Sequence, residues 1–493
     1  MARAANRQES RLTRRTAIGV GAVVVAGIAF RLWFANGPLG HTSSDGAVVG
    51  LMALDLLHHG HVQAFYWGQA YGGSLESILV VPWIWLFGTN TFALEMTSVV
   101  LGLTSSFLTW RIARHLLRPA AAASAGLVAL FWPAALVWYG SKEYGFYPLT
   151  AALGLGVVLL AVNIDEQPLR ARRWLALGVA TGVGWWVSPN IAYYALPMAV
   201  WLVTRGHWKR TRSIAIAVVG LGAGAGVWIV ANVHSGFESL HSPPWRGSST
   251  YLSRFEFFWR TGLPFSLGLR RPWDARWYLD RYVGFGLYVV VLVALAFAFR
   301  NALRTRVPDL FLIAAAPFVY ATFIGNWHLY EGRYTYFIAS MLPILLGRVT
   351  EMRIGPVIVL VLVVATGIAF MHDYDYNREG IGPSTAPIAH ALEHAGYRTA
   401  VAEYGVAYQL TFESNERVIV IPTTVDRHRA FVDRVRHSTP AYIFRSGSPG
   451  SDRGLRTALD ARHIRYRTID AGQYFAVLPS APYFSPELPA ASG

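Results

Sequence analysis

Asp45 heads a set of polar residues whose types and order suit one kind of transfer chemistry. It lies about ten residues past an apolar segment, in "HTSSDGAVVG". A carboxylate held at a membrane edge and partly desolvated is expected to have its pKa raised towards the working range of a general base. Ser43, Ser44 and Asp45 also suit the N-cap of the helix that follows, so capping is the competing role. Glu76, in "YGGSLES", is a candidate second carboxylate or a favourable charge on the first turn of the next helix. Between them, Tyr66, Trp67, Gln69 and Tyr71 suit stacking on a sugar ring and hydrogen bonding to its hydroxyls. Aromatics at a membrane edge equally form an interfacial belt. Gly72 and Gly73 would let backbone come close to a ligand.

Two cations complete the set. Lys142 in "YGSKEYGFYP" and Arg333 in "LYEGRYTYFIASMLP", with Glu331 two residues earlier, fall on the side of the chain that is otherwise poor in Lys and Arg. A phosphate headgroup is one reason to place cations there, because guanidinium binds phosphate oxygens as a bidentate fork. Snorkelling towards lipid is the other. Transfer of a sugar from a lipid phosphate needs a base for the acceptor hydroxyl and cations for the departing phosphate, and no strong general acid. The histidines of "HHGH" (His58, His59 and His61), with His41, invite a metal reading. Adjacent histidines on a helix point apart and no carboxylate stands at clear ligand spacing. No cofactor is therefore expected, a divalent ion being the minor alternative.

The elements that must position these residues are membrane spans. The chain of 493 residues is 54% hydrophobic and only 14% charged, against about 25% in soluble proteins. There is no Cys, which excludes disulfides and thiolate metal sites. The net charge of +15 does not mark a nucleic-acid surface. Arg and Lys gather instead in short loops between apolar runs, at Arg111, Arg114 and Arg118, Arg170, Arg172 and Arg173, and Arg205, Lys209, Arg210 and Arg212 among others. That is the positive-inside pattern.

Apolar windows near 16–35, 91–110, 119–138, 144–162, 174–188, 190–204, 214–233, 282–299, 310–326, 334–347 and 354–371 give about eleven spans. Residues 1–15 form a basic cytosolic tail, and the first window is expected to be a retained helix. The piece Leu75–Phe87 is too short for an ordinary span and is expected to lie at the membrane surface. Parity agrees. Only if this piece does not cross do all the basic clusters fall on one side, with the N-terminus inside and the C-terminus outside. The outward face then collects the 36–90 loop, "YGSKEYG", "SPN" (188–190), the 234–281 loop, "NWHLYEGR" and everything after 371.

From residue 372 the pattern changes. Strands are expected at 398–403, 417–422 and 440–445, with a hairpin from "YRTIDA" and "QYFAVLP", and helices near 386–395, 426–437 and 453–463. This alternation predicts a small α/β domain over 372–480 with a mainly parallel sheet. Without a G-x-G-x-x-G it gives no support for nucleotide binding. Packing or acceptor docking is its expected role. The Pro/Ala/Ser-rich 481–493 is expected to be disordered.

"SDGAVVGLMALDLLHHG", "YWGQAYGGSLES" and "PWIWLFG", followed by "KEYGFYP", "GVGWWVSPNIAYYALP" and "GRYTYFIASMLP", resemble the polytopic GT-C fold glycosyltransferases. The likeness is closest to the bacterial branch of protein mannosyltransferase-like and aminoarabinose transferase-like enzymes. It covers roughly 16–371, and the tail resembles a domain often appended in that branch. The resemblance implies an all-α polytopic GT-C-like domain with a C-terminal extracytoplasmic α/β domain, a polyprenyl-phosphate sugar donor and inversion at the anomeric carbon. It implies Asp45 as the base. Lys142 and Arg333 sit where outward cations could meet the lipid phosphate. Many relatives carry Asp-Glu where this chain has Asp45-Gly46, which leaves Glu76 as the nearest second acid. The reading is an inverting glycosyltransferase of the plasma membrane acting on a glycan, lipid or protein hydroxyl. The alternatives are a lipid-linked sugar transporter or flippase, which would need ionisable residues at mid-span, and a non-catalytic glycan-binding relative.

Overall fold

The computed structural model describes residues 2–36, 42–132, 137–138, 140–241, 249–271, 275–300, 306–324, 332–377, 383–424, 426–447 and 450–484. His41, Glu331 with most of "NWHLYEGR", and the tail from 485 lie outside them. In the membrane domain the helices of eight or more residues are α1 (Ala2–Asn36), α2 (Ser44–His59), α3 (Leu75–Phe87), α4 (Thr91–Leu116), α5 (Pro119–Phe131), α6 (Tyr147–Glu166), α7 (Ala171–Val187), α8 (Ala192–Thr204), α9 (Thr211–Gly224), α10 (Gly226–His234), α11 (Arg281–Phe299), α12 (Pro308–Phe323), α13 (Leu342–Thr350) and α14 (Gly355–Asn377).

Among the described residues five helices are long and apolar enough to cross a membrane: Ile18–Asn36 of α1, α4, α6, α11 and Gly355–His372 of α14. The pair α9 and α10, bent by 57°, makes a sixth if counted as one span. The other windows hold shorter helices, as at α5 and α12. The short piece read as juxtamembrane is a helix with the expected bounds, α3. "SPN" is the predicted break: Ser188 is extended and Pro189–Ile191 form a single 3-10 turn between α7 and α8.

Small residues set the closest helix contact. A Cβ on Gly178 or Gly182 of α7 would lie 2.0 Å from the Ala217 carbonyl oxygen or 2.2 Å from that of Leu221 on α9. Gly220 and Gly224 of α9 meet the Leu175 and Val179 carbonyl oxygens in the same way, at 2.5 and 2.4 Å. Two small-xxx-small faces thus press backbone on backbone. Polar ties fix other helices. Buried Arg31 of α1 donates to the carbonyls of Ala129 (3.0 Å) and Gly140 (3.3 Å). Arg348 of α13 forks onto the buried Asp309 of α12 at 2.7 and 3.1 Å.

The tail forms a five-stranded sheet in the order β2-β1-β3-β5-β4, with β1 (Thr399–Ala402), β2 (Ile419–Pro422), β3 (Ala441–Arg445), β4 (Tyr466–Ala471) and β5 (Tyr474–Pro479). The expected mainly parallel sheet is half so: β1 pairs parallel with β2 and β3, whereas β3–β5 and β4–β5 are antiparallel. The closing hairpin returns beside β3 and so reverses direction. Helices α15 (Ala386–His394), α16 (Tyr404–Glu413), α17 (Arg429–Arg436) and α18 (Arg453–Asp460) complete the domain. Helix α16 was not expected. Its apolar residues merge with the strand before it, and Tyr408, Leu410 and Phe412 are fully buried. The chain stays docked past 480, where the Tyr442 hydroxyl donates to the Tyr483 carbonyl at 2.9 Å, so order runs further than the composition suggested.

The domain sits on α2. A Cβ at Gly50 would lie 2.4 Å from the Phe412 ring, and Ala47, Val48, Leu51 and Leu54 of α2 share one apolar core with Tyr408, Phe412 and Ile421. The apolar face of α2 is buried by protein.

Candidate active site

Helix α2 starts with Ser43 as N-cap, its hydroxyl accepting from the Gly46 amide at 3.1 Å. Asp45 is therefore spared the capping role and its carboxylate is free for other partners. Arg333 donates to Asp45 Oδ2 at 2.8 Å, and the Tyr404 hydroxyl donates to Oδ1 at 2.6 Å. The Tyr66 hydroxyl donates to the Asp45 carbonyl at 2.7 Å, which ties the following loop to the helix start.

Between α2 and α3 the chain folds back on itself. The Tyr66 amide donates to the Gly72 carbonyl at 2.7 Å, and the Gly73 amide reaches the Val187 carbonyl at 2.9 Å. Trp186 Nε1 donates to the Ala64 carbonyl at 2.7 Å. Gly72 and Gly73 serve these contacts: a Cβ on either would lie 2.7 Å from the Phe146 ring or the Trp186 carbonyl oxygen. The backbone approach they permit is to the protein itself, and Gly72 also lines the cavity described next.

A cavity of about 770 Å³ opens beside Asp45. Its walls include Tyr66, Gln69, Tyr71 and Arg333, four residues singled out in the sequence, together with Tyr147, Trp185 and Trp186. Two more come from the C-terminal domain, Tyr404 and Arg427. Arg427 donates to Gln69 Oε1 at 2.9 Å and to the Tyr404 hydroxyl at 3.3 Å, and lies 5.4 Å from the Tyr66 ring centre. Gln69, Arg427, Tyr404, Asp45 and Arg333 thus form a continuous polar chain along one wall. A domain expected only to pack or to dock an acceptor supplies part of the site.

Burial alone would raise the Asp45 carboxyl. The Arg333 charge, the hydrogen bonds from Tyr404 and Arg333 and the Arg427 charge outweigh it and hold the group below the ordinary aspartate range. The expected upward shift is corrected here, because the carboxylate is paired as well as desolvated. Burial, then the Asp45 charge, pushes Tyr404 up, so it stays a phenol and a donor.

The other three residues from the sequence lie off this cavity. Trp67 stacks 4.1 Å from the His428 ring against the C-terminal domain, in a separate depression of about 390 Å³. Lys142 is 3% exposed, with its ammonium 3.9 Å from a Glu95 oxygen. It lines a smaller cavity of about 310 Å³ that shares Asp45, Tyr144, Arg333 and Tyr404 with the large one. Burial lowers its pKa, so an exposed cation ready for a lipid headgroup is not what the fold builds there.

Glu76 is 2% exposed and faces neither cavity. Burial, then the Glu143 charge, pushes its carboxyl well above the usual range. Glu143 itself is pushed up to about 8, first by burial and then by Glu95. Its carboxylate accepts from the Ser98 hydroxyl (3.1 Å) and the Gly145 amide (2.8 Å). This buried cluster braces the 140–145 loop against α4, whose Glu95 accepts from the Glu143 amide. At Gly46 a Cβ would lie 2.4 Å from the Glu143 carbonyl oxygen, so the position after Asp45 has no room for a second acid.

Residues 79–232, from α3 into α10, match the protein family described as dolichyl-phosphate-mannose-protein mannosyltransferase. No curated protein matches the sequence. Among solved structures, ArnT from Cupriavidus metallidurans bound to undecaprenyl phosphate superimposes with a TM-score of 0.66 at 15% identity, covering 94% of this chain and 98% of that one. The same enzyme in the apo state gives 0.64 at 14% identity, over 94% and 98%. The archaeal oligosaccharyltransferase AglB from Archaeoglobus fulgidus, in complex with an inhibitory peptide and a dolichol-phosphate, gives 0.53 at 10% identity, covering 94% of this chain and 74% of that one. The chain has the GT-C fold, in the ArnT-like arrangement of a helical membrane domain with a small C-terminal sheet domain.

Proposed function

We propose that the protein is an inverting glycosyltransferase that moves a sugar from a polyprenyl-phosphate carrier to a hydroxyl acceptor. The observation that carries this reading is the Asp45 carboxylate in a large aromatic-walled cavity, between the guanidinium groups of Arg333 and Arg427. The undecaprenyl phosphate and dolichol-phosphate bound by the ArnT and AglB structures support a polyprenyl-phosphate donor. The donor phosphate would take Arg333 and Arg427, while Tyr66, Tyr71 and Gln69 face the sugar.

The acceptor oxygen attacks the anomeric carbon from the side opposite the phosphate. Its proton passes to Asp45 as the bond from carbon to phosphate oxygen breaks, and polyprenyl phosphate leaves with its new charge held by the arginines. Before donor arrives, Arg333 neutralises Asp45. Phosphate competes for the same guanidinium, so donor binding would loosen that pair and make the carboxylate more basic when a base is needed.

The positive-inside pattern supports about eleven spans with the N-terminus inside, the site at the outer face of a plasma membrane and the C-terminal domain outside. Whether a hexose or a pentose is moved is open to a direct test. Purified protein is incubated with a panel of labelled polyprenyl-phosphate sugars and candidate acceptors, and release of free polyprenyl phosphate is followed. Turnover of one donor with an inverted product linkage is the expected result. A retained linkage would overturn the single-displacement step. Passage of intact donor across proteoliposomes without turnover would favour a transporter.

A further inference from the structure

The geometry points to a divalent transition-metal site, of the zinc class, formed by Asp55, His59 and His61 where α2 hands the chain to the loop that lines the cavity. The carboxylate that the sequence reading lacked is on α2 itself. Asp55 and His59 are one helical turn apart and share a face. Gly60 then closes the helix in the left-handed region, with φ 71°, and turns His61 back onto that face. Both imidazoles aim Nδ1 at the same Asp55 oxygen, each at 3.1 Å. The two rings stack 5.6 Å apart at 21°.

All three ligand atoms lie within 4.8 Å of one another. Zinc bonds of about 2.0 Å in a tetrahedron separate neighbouring ligand atoms by about 3.3 Å, close to the spacing already present. The imidazoles are 60% and 65% exposed, whereas Asp55 is 17% exposed. Two exposed rings, each free to turn to water, instead converge on one oxygen, and a fourth position remains open to water. His58 faces His59 edge-on at 89° and is not part of the set.

The site stands ten positions along α2 from Asp45, about 15 Å at 1.5 Å per residue, so the ion does not touch the reacting atoms. Its effect is positional. It pins the reversal at Gly60, six to eleven residues before Tyr66, Gln69 and Tyr71 reach the cavity.

The test uses tag-free full-length protein in detergent, stripped with a chelator and titrated with Zn²⁺ and with Co²⁺. One equivalent should bind, with tetrahedral visible bands for Co²⁺ and slower amide exchange over 62–74. Asp55→Asn and His61→Ala should weaken binding on the order of 100-fold, while His58→Ala leaves it unchanged. His61 is a surface residue, so its replacement does not disturb the core, and equal melting temperatures in chelator check this. Absence of stoichiometric binding, or binding that survives His61→Ala, would overturn the assignment. None of these readings uses turnover, so the outcome is independent of the transferase proposal.

Discussion

Asp45 accepts two strong hydrogen bonds, and this sets its acid–base behaviour. Its pKa is depressed, so the active, deprotonated form persists down to pH values below the ordinary aspartate value of 3.8. The pH profile of kcat/KM reports the free enzyme. It should therefore show no Asp45 limb between pH 5 and 8. Arg333→Gln removes the largest lowering influence and leaves burial, so the acid limb should move upward. An unmoved limb would detach Arg333 from the base. Glu76 makes a contrasting case. Burial pushes its carboxyl well above the usual range, which favours the neutral acid, and glutamine reproduces a neutral donor there. Turnover of Glu76→Gln should stay within about fivefold of wild type, and a much larger loss would return Glu76 to the chemistry.

Elements decide whether those residues meet. Helix α2 brings Asp45 to the cavity because Ser43 does the capping and Gly46 admits the 140–145 loop. Behind the site, α7 carries Trp185 and Trp186 and rests on α9 through four glycines. Gly182→Val would drive side-chain carbon into the Leu221 carbonyl and should cost about 2 kcal/mol or more. Thermal unfolding in detergent reads this, with Gly222→Ala, which meets open space, as the silent control. These contacts show where sequence reading reaches its limit. Apolar length and loop composition made the long apolar helices and the short α3 legible. They also marked Asp45, Tyr66, Gln69, Tyr71 and Arg333, which do converge. The same outward placement was read into Lys142 and Glu76, but outward in sequence is not exposed in space. Nothing in local composition tells a loop facing a cavity from one packed behind it.

The whole molecule closes its site only when two domains meet. Tyr404 follows β1 and Arg427 follows β2, both past the carboxyl ends of parallel strands, where α/β sheets place ligand-binding residues. That rule was a usable signal; the domain's small size and lack of a nucleotide motif drew attention away from it. If Arg427 holds departing phosphate, Arg427→Ala should lower kcat/KM roughly 10²-fold while the domain stays folded. Circular dichroism and the melting temperature separate that result from domain loss. A variant as active as wild type would leave the domain a packing role only.

The most direct measurement compares wild type with Asp45→Asn for release of polyprenyl phosphate from the donor that wild type turns over. Asparagine keeps the shape, can still accept from Tyr404, and removes the base. The expected result is a loss of roughly 10²–10⁴-fold in turnover, with folding and donor binding retained. Equal turnover by the two proteins would contradict the assignment of Asp45 as the base and with it the mechanism built around this cavity.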